Sequence, residues 1–62
     1  MFTLRQAQAT CADYGHTAVL LSGGGERDEL AIYDNDSGRW RGSVIVVERC
    51  YVDSTAVYSV LS

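Results

Sequence analysis

The chain has 62 residues, a formal net charge of −3 and a hydrophobic fraction of 47%. This length allows one domain, residues 1–62, and the hydrophobic fraction excludes a disordered chain. The sequence pI of about 4.7 argues against direct binding of nucleic acid, because phosphate recognition needs a basic surface. A domain this small buries only about 60% of its unfolded surface, so a homodimer or another partner would add stability that the core alone supplies poorly.

The sequence carries no membrane or export signal. No apolar run reaches the roughly 18 residues that a membrane-spanning helix needs. Residues 1–6 lack the basic region and the apolar stretch of a signal peptide. These features predict a cytoplasmic protein, in which Cys11 and Cys50 are reduced thiols that act as small hydrophobic residues.

The first predicted element is a helix over residues 4–14. Thr3 and Gln6 have the spacing of a capping box, in which the threonine hydroxyl accepts from the Gln6 N–H and the Gln6 side chain reaches back. Apolar residues then recur at helical spacing, at Leu4, Ala7, Cys11 and Tyr14. Gly15 follows, at a position where a left-handed residue commonly ends a helix.

Two strands are predicted on either side of the glycine-rich turn Ser22–Gly25. His16–Leu21 is short and dense in apolar residues, which favours a partly buried strand. Leu30–Tyr33 alternates large and small side chains and is predicted to be the second strand. A short acidic helix over 26–34 is the competing interpretation, since carboxylates suit a first helical turn, but the strand is favoured.

A hairpin is the main tertiary prediction. Asp34–Gly38 contains Asp, Asn and Gly, which tolerate left-handed backbone angles and indicate a turn. The next strand spans 39–47 and includes Ser43–Val47, the most β-prone run of the chain. Gly42 is typical of a bulge within such a strand. We therefore expect residues 30–34 to pair with residues 39–47.

Arg39, Trp40 and Arg41 interleave basic and aromatic side chains, as surfaces that stack nucleic-acid bases do. The neighbouring acidic turn opposes that role. The favoured interpretation is a strand in which Trp40 packs inward while the two arginines are exposed.

The tail from Tyr51 to Leu61 has two interpretations. β-Branched residues and tyrosines dominate it, which favours a strand pair that turns at Asp53–Ser54. The alternative is a last helix capped by Asp53 or Ser54, with Val57 facing inward. The strand is favoured. The whole chain is then an α+β domain, with one N-terminal helix packed on a three- or four-stranded antiparallel sheet.

Each group of residues that could carry chemistry lacks a required feature. Cys11, Asp13 and His16 supply the residue types of a cysteine nucleophile site, but Cys11 belongs to the buried helix face and His16 lies beyond the helix end. The triple glycine 23–25 is followed by neither the Lys nor the Ser/Thr of a phosphate-binding loop. Asp34–Gly38 resembles the start of a calcium loop without its glycine or its final glutamate in place. One histidine and two cysteines also form no zinc pattern, so we predict no enzyme, no cofactor and no metal site.

The acidic segment is the most distinctive part of the sequence. Residues 26–36 hold five of the eight carboxylates and one arginine, so this segment has a charge of −4 and the rest of the chain +1. One interpretation is a solvated loop and turn. The other is a surface that imitates DNA, which carries one charge per about 1.7 Å of axis, because alternate residues of a strand share a face. The residues predicted to contact a partner are Glu26, Asp28, Glu29, Asp34 and Asp36, with Tyr33 and Trp40 adding aromatic contacts.

In its small size, lack of a catalytic motif and localised acidity, the chain resembles the small acidic proteins of phages and mobile elements, among them the anti-CRISPR proteins. The resemblance implies a non-enzymatic inhibitor in the host cytoplasm. Its partner would be a basic nucleic-acid-binding protein or complex of host defence. The alternative hypothesis is a small structural, oligomerisation or regulatory module whose acidic loop only keeps it in solution.

Overall fold

A computed structural model describes residues 1–22 and 28–62 as an antiparallel sheet with two helices. The elements in chain order are β1 (Phe2–Thr3), α1 (Leu4–Asp13), β2 (His16–Leu21), β3 (Glu29–Asp34), β4 (Trp40–Val47), β5 (Tyr51–Val52) and α2 (Ser54–Leu61). The strand order is β1-β5-β4-β3-β2. The predicted α+β class is confirmed. The described sheet has five strands, because the two-residue strands β1 and β5 extend it beyond β4.

Helix α1 begins at the predicted capping box. The Thr3 hydroxyl oxygen accepts a hydrogen bond from the Gln6 N–H at 3.2 Å, and the Gln6 side chain accepts one from the Thr3 N–H at 2.9 Å. The helix ends at Asp13, one residue before the predicted end, and Gly15 follows with a φ of +76°. This left-handed residue lets the chain reverse immediately into β2.

The predicted hairpin is confirmed. β3 pairs along its length with β4, so the competing acidic helix is wrong over the described part of its range. At the turn, the Asp34 carbonyl accepts a hydrogen bond from the Gly38 N–H at 2.8 Å, and Gly38 has a φ of +71°. The first strand, β2, spans His16–Leu21 as predicted and pairs with the other side of β3.

Strand β4 contains the expected irregularity beside Gly42. Ile32 pairs with Gly42, whereas the next residue, Tyr33, pairs with Trp40. Arg41 is therefore the extra residue of a β-bulge, which changes the alternation of side chains along β4. Trp40 consequently lies on the same sheet face as Tyr33, and it is 60% exposed. The prediction that Trp40 packs inward is wrong.

The tail is helical after a two-residue strand, so the favoured strand-pair prediction is wrong beyond Val52. The Asp53 side chain caps α2 by accepting a hydrogen bond from the Thr55 N–H at 2.9 Å. Val57 is fully buried against the core. The cap and the burial of this helix face outweigh the strand preference of the individual residues, which depends strongly on context.

Both helices pack on one face of the sheet. The buried core comes from the two helices and from even-numbered strand positions: Ala7, Cys11, Ala18, Leu30, Ile32, Val44, Val46, Val52 and Val57. Gly42 lets α2 approach β4 closely, since an added Cβ would lie 3.2 Å from a methyl carbon of Val60.

Cys11 and Cys50 are free thiols, and burial raises the pKa of the Cys11 thiol.

Candidate functional site

The sheet face opposite the helices is the candidate site. The described helices pack against the even-numbered positions of β2 and β3, so the odd-numbered positions point away from them. We define the open face as the six large side chains that β2, β3 and β4 present on this side: Val19, Leu21, Tyr33, Trp40, Ile45 and Val47. Tyr51, which pairs with Val47, continues the same face onto β5.

The open face is mostly apolar, with Glu29 between Leu21 and Ile45 at one end. Leu21, Val19 and Ile45 are 46%, 42% and 44% exposed. Ala31 lies among them and is fully buried although no described helix covers this side, because the larger neighbours surround it. A continuous apolar surface on a small protein is typical of an interaction site.

An aromatic pair lies at the hairpin end of the open face. Tyr33 and Trp40 are direct cross-strand partners. Side chains at directly opposed positions of an antiparallel pair have Cβ atoms about 4.5–5.5 Å apart, so the two side chains are neighbours on the open face. Tryptophan, tyrosine and arginine are the residues most enriched in the binding centres of protein interfaces, and Arg41 is adjacent to this pair.

The structure separates the predicted acidic residues into two groups. Asp28 and Glu29 lie at the start of β3, whereas Asp34 and Asp36 lie at its other end and in the turn. Five residue steps separate Glu29 from Asp34, roughly 17 Å, and their parity places them on opposite faces of the strand. Glu26 lies outside the described residues. The described carboxylates therefore flank the open face at two ends and do not form one row.

Asp34 has a structural role in the hairpin turn. Its carboxylate accepts hydrogen bonds from the backbone N–H groups of Asp36 at 2.8 Å and Ser37 at 3.2 Å. The hydrogen bond from Ser37 has the largest effect on the pKa of Asp34, and that from Asp36 has the next largest. Both lower this pKa, because they favour the charged carboxylate. A carboxylate occupied in this way has less freedom to meet a partner than Asp36, which is exposed at the tip.

His16 is buried on the helix side of the sheet. Its Nδ1 donates to the Tyr14 carbonyl oxygen at 2.8 Å, because a carbonyl can only accept. The imidazole is therefore oriented by the backbone at the end of α1, and Cys11 is not among its hydrogen-bond partners. Within residues 1–22 and 28–62, no three His, Cys, Asp or Glu side chains come together in a way that could hold a metal ion.

A strained turn lies at the other end of the open face, between β4 and β5. Glu48 and Arg49 have φ angles of +52° and +66°, and the Cys50 N–H donates to the Val47 carbonyl at 3.2 Å. Two successive positive φ angles are typical of a type I′ turn, which normally uses Asn and Gly. This turn was not predicted, since neither residue type signals it.

Comparison with family models, with characterised proteins and with solved structures found no match to this chain. Neither described helix has the length and apolar character that crossing a membrane requires. The functional hypothesis therefore depends on the geometry of the open face and its charged ends.

Proposed function

We propose that this chain is a non-enzymatic module that acts by binding another protein through the open face. The observation that carries this proposal is the exposure of five large apolar side chains on one sheet face, among them Trp40 at 60%. When a partner covers an exposed apolar side chain, the free energy of binding becomes more favourable by roughly 25 cal/mol for each Å² of apolar surface removed from water. A single continuous face concentrates this gain in one interface.

Within this class, we propose a basic nucleic-acid-binding protein or complex of host defence as the partner, which would make the chain an inhibitor of the anti-CRISPR type. The net charge of −3 supports this partner, because opposite potentials steer two proteins together. Asp28 and Glu29 at one end of β3, with Asp36 at the other, would contact basic residues around an apolar centre. Tyr33 and Trp40 would supply the aromatic anchor of that centre.

The proposal is tested by truncating the anchor. The partner is first captured on the immobilised chain from a bacterial lysate and identified by mass spectrometry, and its affinity for variants is then measured. We expect Trp40→Ala to weaken binding at least tenfold, as removal of an interface anchor does. Tyr58→Ala is the matched control, because Tyr58 is an exposed aromatic residue on α2, away from the open face. Equal affinities for Trp40→Ala and wild type would contradict the proposal.

Salt dependence and charge reversal test the partner class. If basic residues of the partner contact the acidic ends, Glu29→Arg and Asp36→Arg should each weaken the complex, and added salt should weaken the wild-type complex. Asp13→Arg at the end of α1 is the control. Binding that is insensitive to salt and to both reversals would indicate a partner that is not basic.

A second candidate function is an oligomerisation module. The observation that favours it is the small core: the largest fully buried side chains are Leu30, Ile32, Val52, Val57 and Cys11, and no aromatic side chain of the described residues is fully buried. Chains of this length commonly add stability by association.

A further inference from the structure

We propose that, when no other partner is bound, a second copy of this chain occupies the open face, with the two sheets packed face to face about a two-fold axis. This inference rests on the proposed function to the extent that both use the open face. The occupant is a second copy of this chain, and the charges at the ends of the face specify its orientation.

The charges of the open face have opposite signs at its two ends. Glu29 lies at the start of β3, in register with Ile45, and Arg41 lies in the bulge beside the Tyr33–Trp40 pair. Four residue steps along β3, from Glu29 to Tyr33, separate the two ends by about 13 Å, so Glu29 and Arg41 do not pair within one chain. Asp28 and Arg39 extend the same polarity in sequence, whereas Asp36 opposes it at the hairpin rim and Glu48 and Arg49 cancel at the other rim. Asp34 lies near enough to Arg41 to interact with its charge, but its position in β3 places it on the opposite face of the sheet from Tyr33.

A two-fold axis between the sheets, perpendicular to the strands, brings opposite ends together. The Glu29 end of one copy then lies against the Arg41 end of the second copy, so Glu29 of each copy faces Arg41 of the other. An isologous interface of this kind makes every contact twice, and opposite charges at its ends fix its orientation. Packing with the same ends together would instead place like charges opposite each other.

The apolar side chains fit the same arrangement. The aromatic pair Tyr33–Trp40 of one copy would cover the end of the other at which Leu21 and Ile45 lie on either side of Glu29. Ala31 and Ser43 pair at the middle of the face, where their small side chains let the two sheets approach. Aligned sheets normally pack about 10 Å apart, which side chains of this size span.

The extents of the molecule set an upper limit on the area that this dimer can bury. The two largest dimensions of the molecule are 31 and 22 Å. Their product limits one side of the molecule to about 680 Å², or about 1,360 Å² over two copies, which reaches the range of roughly 1,200–2,000 Å² that specific interfaces bury. The dimer would therefore use most of one side of the molecule.

The test is a pair of charge reversals studied by sedimentation velocity over a range of protein concentrations. We expect the wild-type chain to show a concentration-dependent monomer–dimer equilibrium. Glu29→Arg places arginine against arginine at both contacts, and Arg41→Glu places carboxylate against carboxylate, so each variant alone should dissociate at least tenfold more readily. Far-UV circular dichroism and thermal unfolding of each variant verify that the monomer is folded.

The discriminating measurement is an equimolar mixture of the two single variants. In the mixed dimer both contacts again join opposite charges, so the mixture should regain the wild-type dissociation constant within about threefold, and so should the double variant Glu29→Arg/Arg41→Glu. Recovery in both cases supports the two-fold orientation. A dimer that the single reversals do not weaken, or that the mixture does not restore, overturns it.

Failure of this inference is distinguishable from failure of the proposed function. A wild-type chain that stays monomeric at millimolar concentration, yet binds a captured protein in a manner that depends on Trp40, overturns the second copy as occupant and leaves the proposed function intact. A chain that stays monomeric and binds its captured protein equally well after Trp40→Ala overturns both.

Discussion

At the scale of single residues, Asp34 shows how a predicted binding residue can have a structural role. Its carboxylate accepts two backbone hydrogen bonds within the hairpin turn and thereby holds the end of β3 against the start of β4. The same residue types that suggest an acidic binding surface also form Asx-turns, in which the side chain bonds to the backbone two residues on. Sequence alone does not separate the two roles.

The lowered pKa of Asp34 predicts a contribution to stability that depends on pH. Because the folded pKa lies below the unfolded one, this contribution is complete above the ordinary Asp pKa of about 3.9 and is lost as pH falls through the folded value. Asp34→Asn retains a side-chain oxygen for the turn but does not titrate. Urea denaturation between pH 6 and pH 2 should therefore show a smaller loss of stability in the variant, and parallel pH curves would contradict this role.

At the scale of elements, the contact of α2 with β4 depends on the missing side chain of Gly42. The nearest atoms to an added Cβ are the two methyl carbons of Val60, at 3.2 and 3.3 Å. Such distances are shorter than ordinary van der Waals contact, so the helix sits where it does because this position is glycine. The bulge at Arg41 and the docking of α2 thus occur at the same place on β4.

This contact predicts a coupled pair of substitutions. Gly42→Ala should reduce the free energy of unfolding by about 1–3 kcal/mol, because the added Cβ overpacks against Val60 and because a residue with a side chain rarely adopts the φ of +158° found here. Val60→Ala in the same chain makes room for the added methyl group, so the double variant should lose less stability than the sum of the two single losses, as measured by urea denaturation.

Gly38→Ala provides the control for this pair. Gly38 has a φ of +71° and no atom within 4 Å of an added Cβ, so its substitution causes backbone strain without a clash. Val60→Ala should not relieve that strain. If the losses for Gly42→Ala and Val60→Ala are simply additive, the proposed contact does not limit the position of α2.

The elements that could be predicted are those with a strong local signal. The capping box at Thr3, the alternation in β3 and the turn at Asp34–Gly38 each specify their structure within a few residues, and all three are confirmed. The tail could not be assigned in this way, because its residues favour a strand and the Asp53 cap together with burial of one helix face makes it helical. The Glu48–Arg49 turn has no local signature at all.

The candidate site was predictable only in part, for the same reason. Tyr33 and Trp40 are singled out from the sequence and do lie together, but the exposure of Trp40 follows from the one-residue shift in register at the bulge. The sequence indicates a bulge at Gly42 but does not show that it moves Trp40 to the open face. The open face was missed because four of its six members come from β2 and from the end of β4. Their common side becomes apparent only when the register of three strands is known.

At the scale of the whole molecule, the two helices on one side leave a sheet whose two faces differ in burial. One face contains the core, and the other offers an apolar surface with opposite charges at its ends. The core and the open face share the same three strands, so a partner bound to the open face, as proposed, would also add to the stability of the fold.

The burial of β3 has a consequence for how the backbone opens to solvent. Leu30, Ala31 and Ile32 are fully buried in succession, on both sides of the strand, and β3 is paired along both edges. In amide hydrogen exchange followed by NMR on the dilute chain, these three amides should exchange last, at the rate set by global unfolding. The amides of Tyr51 and Val52 in the two-residue strand β5 should exchange earlier, through local opening. Faster exchange at Ala31 than at Tyr51 would mean that the molecule opens first at its centre.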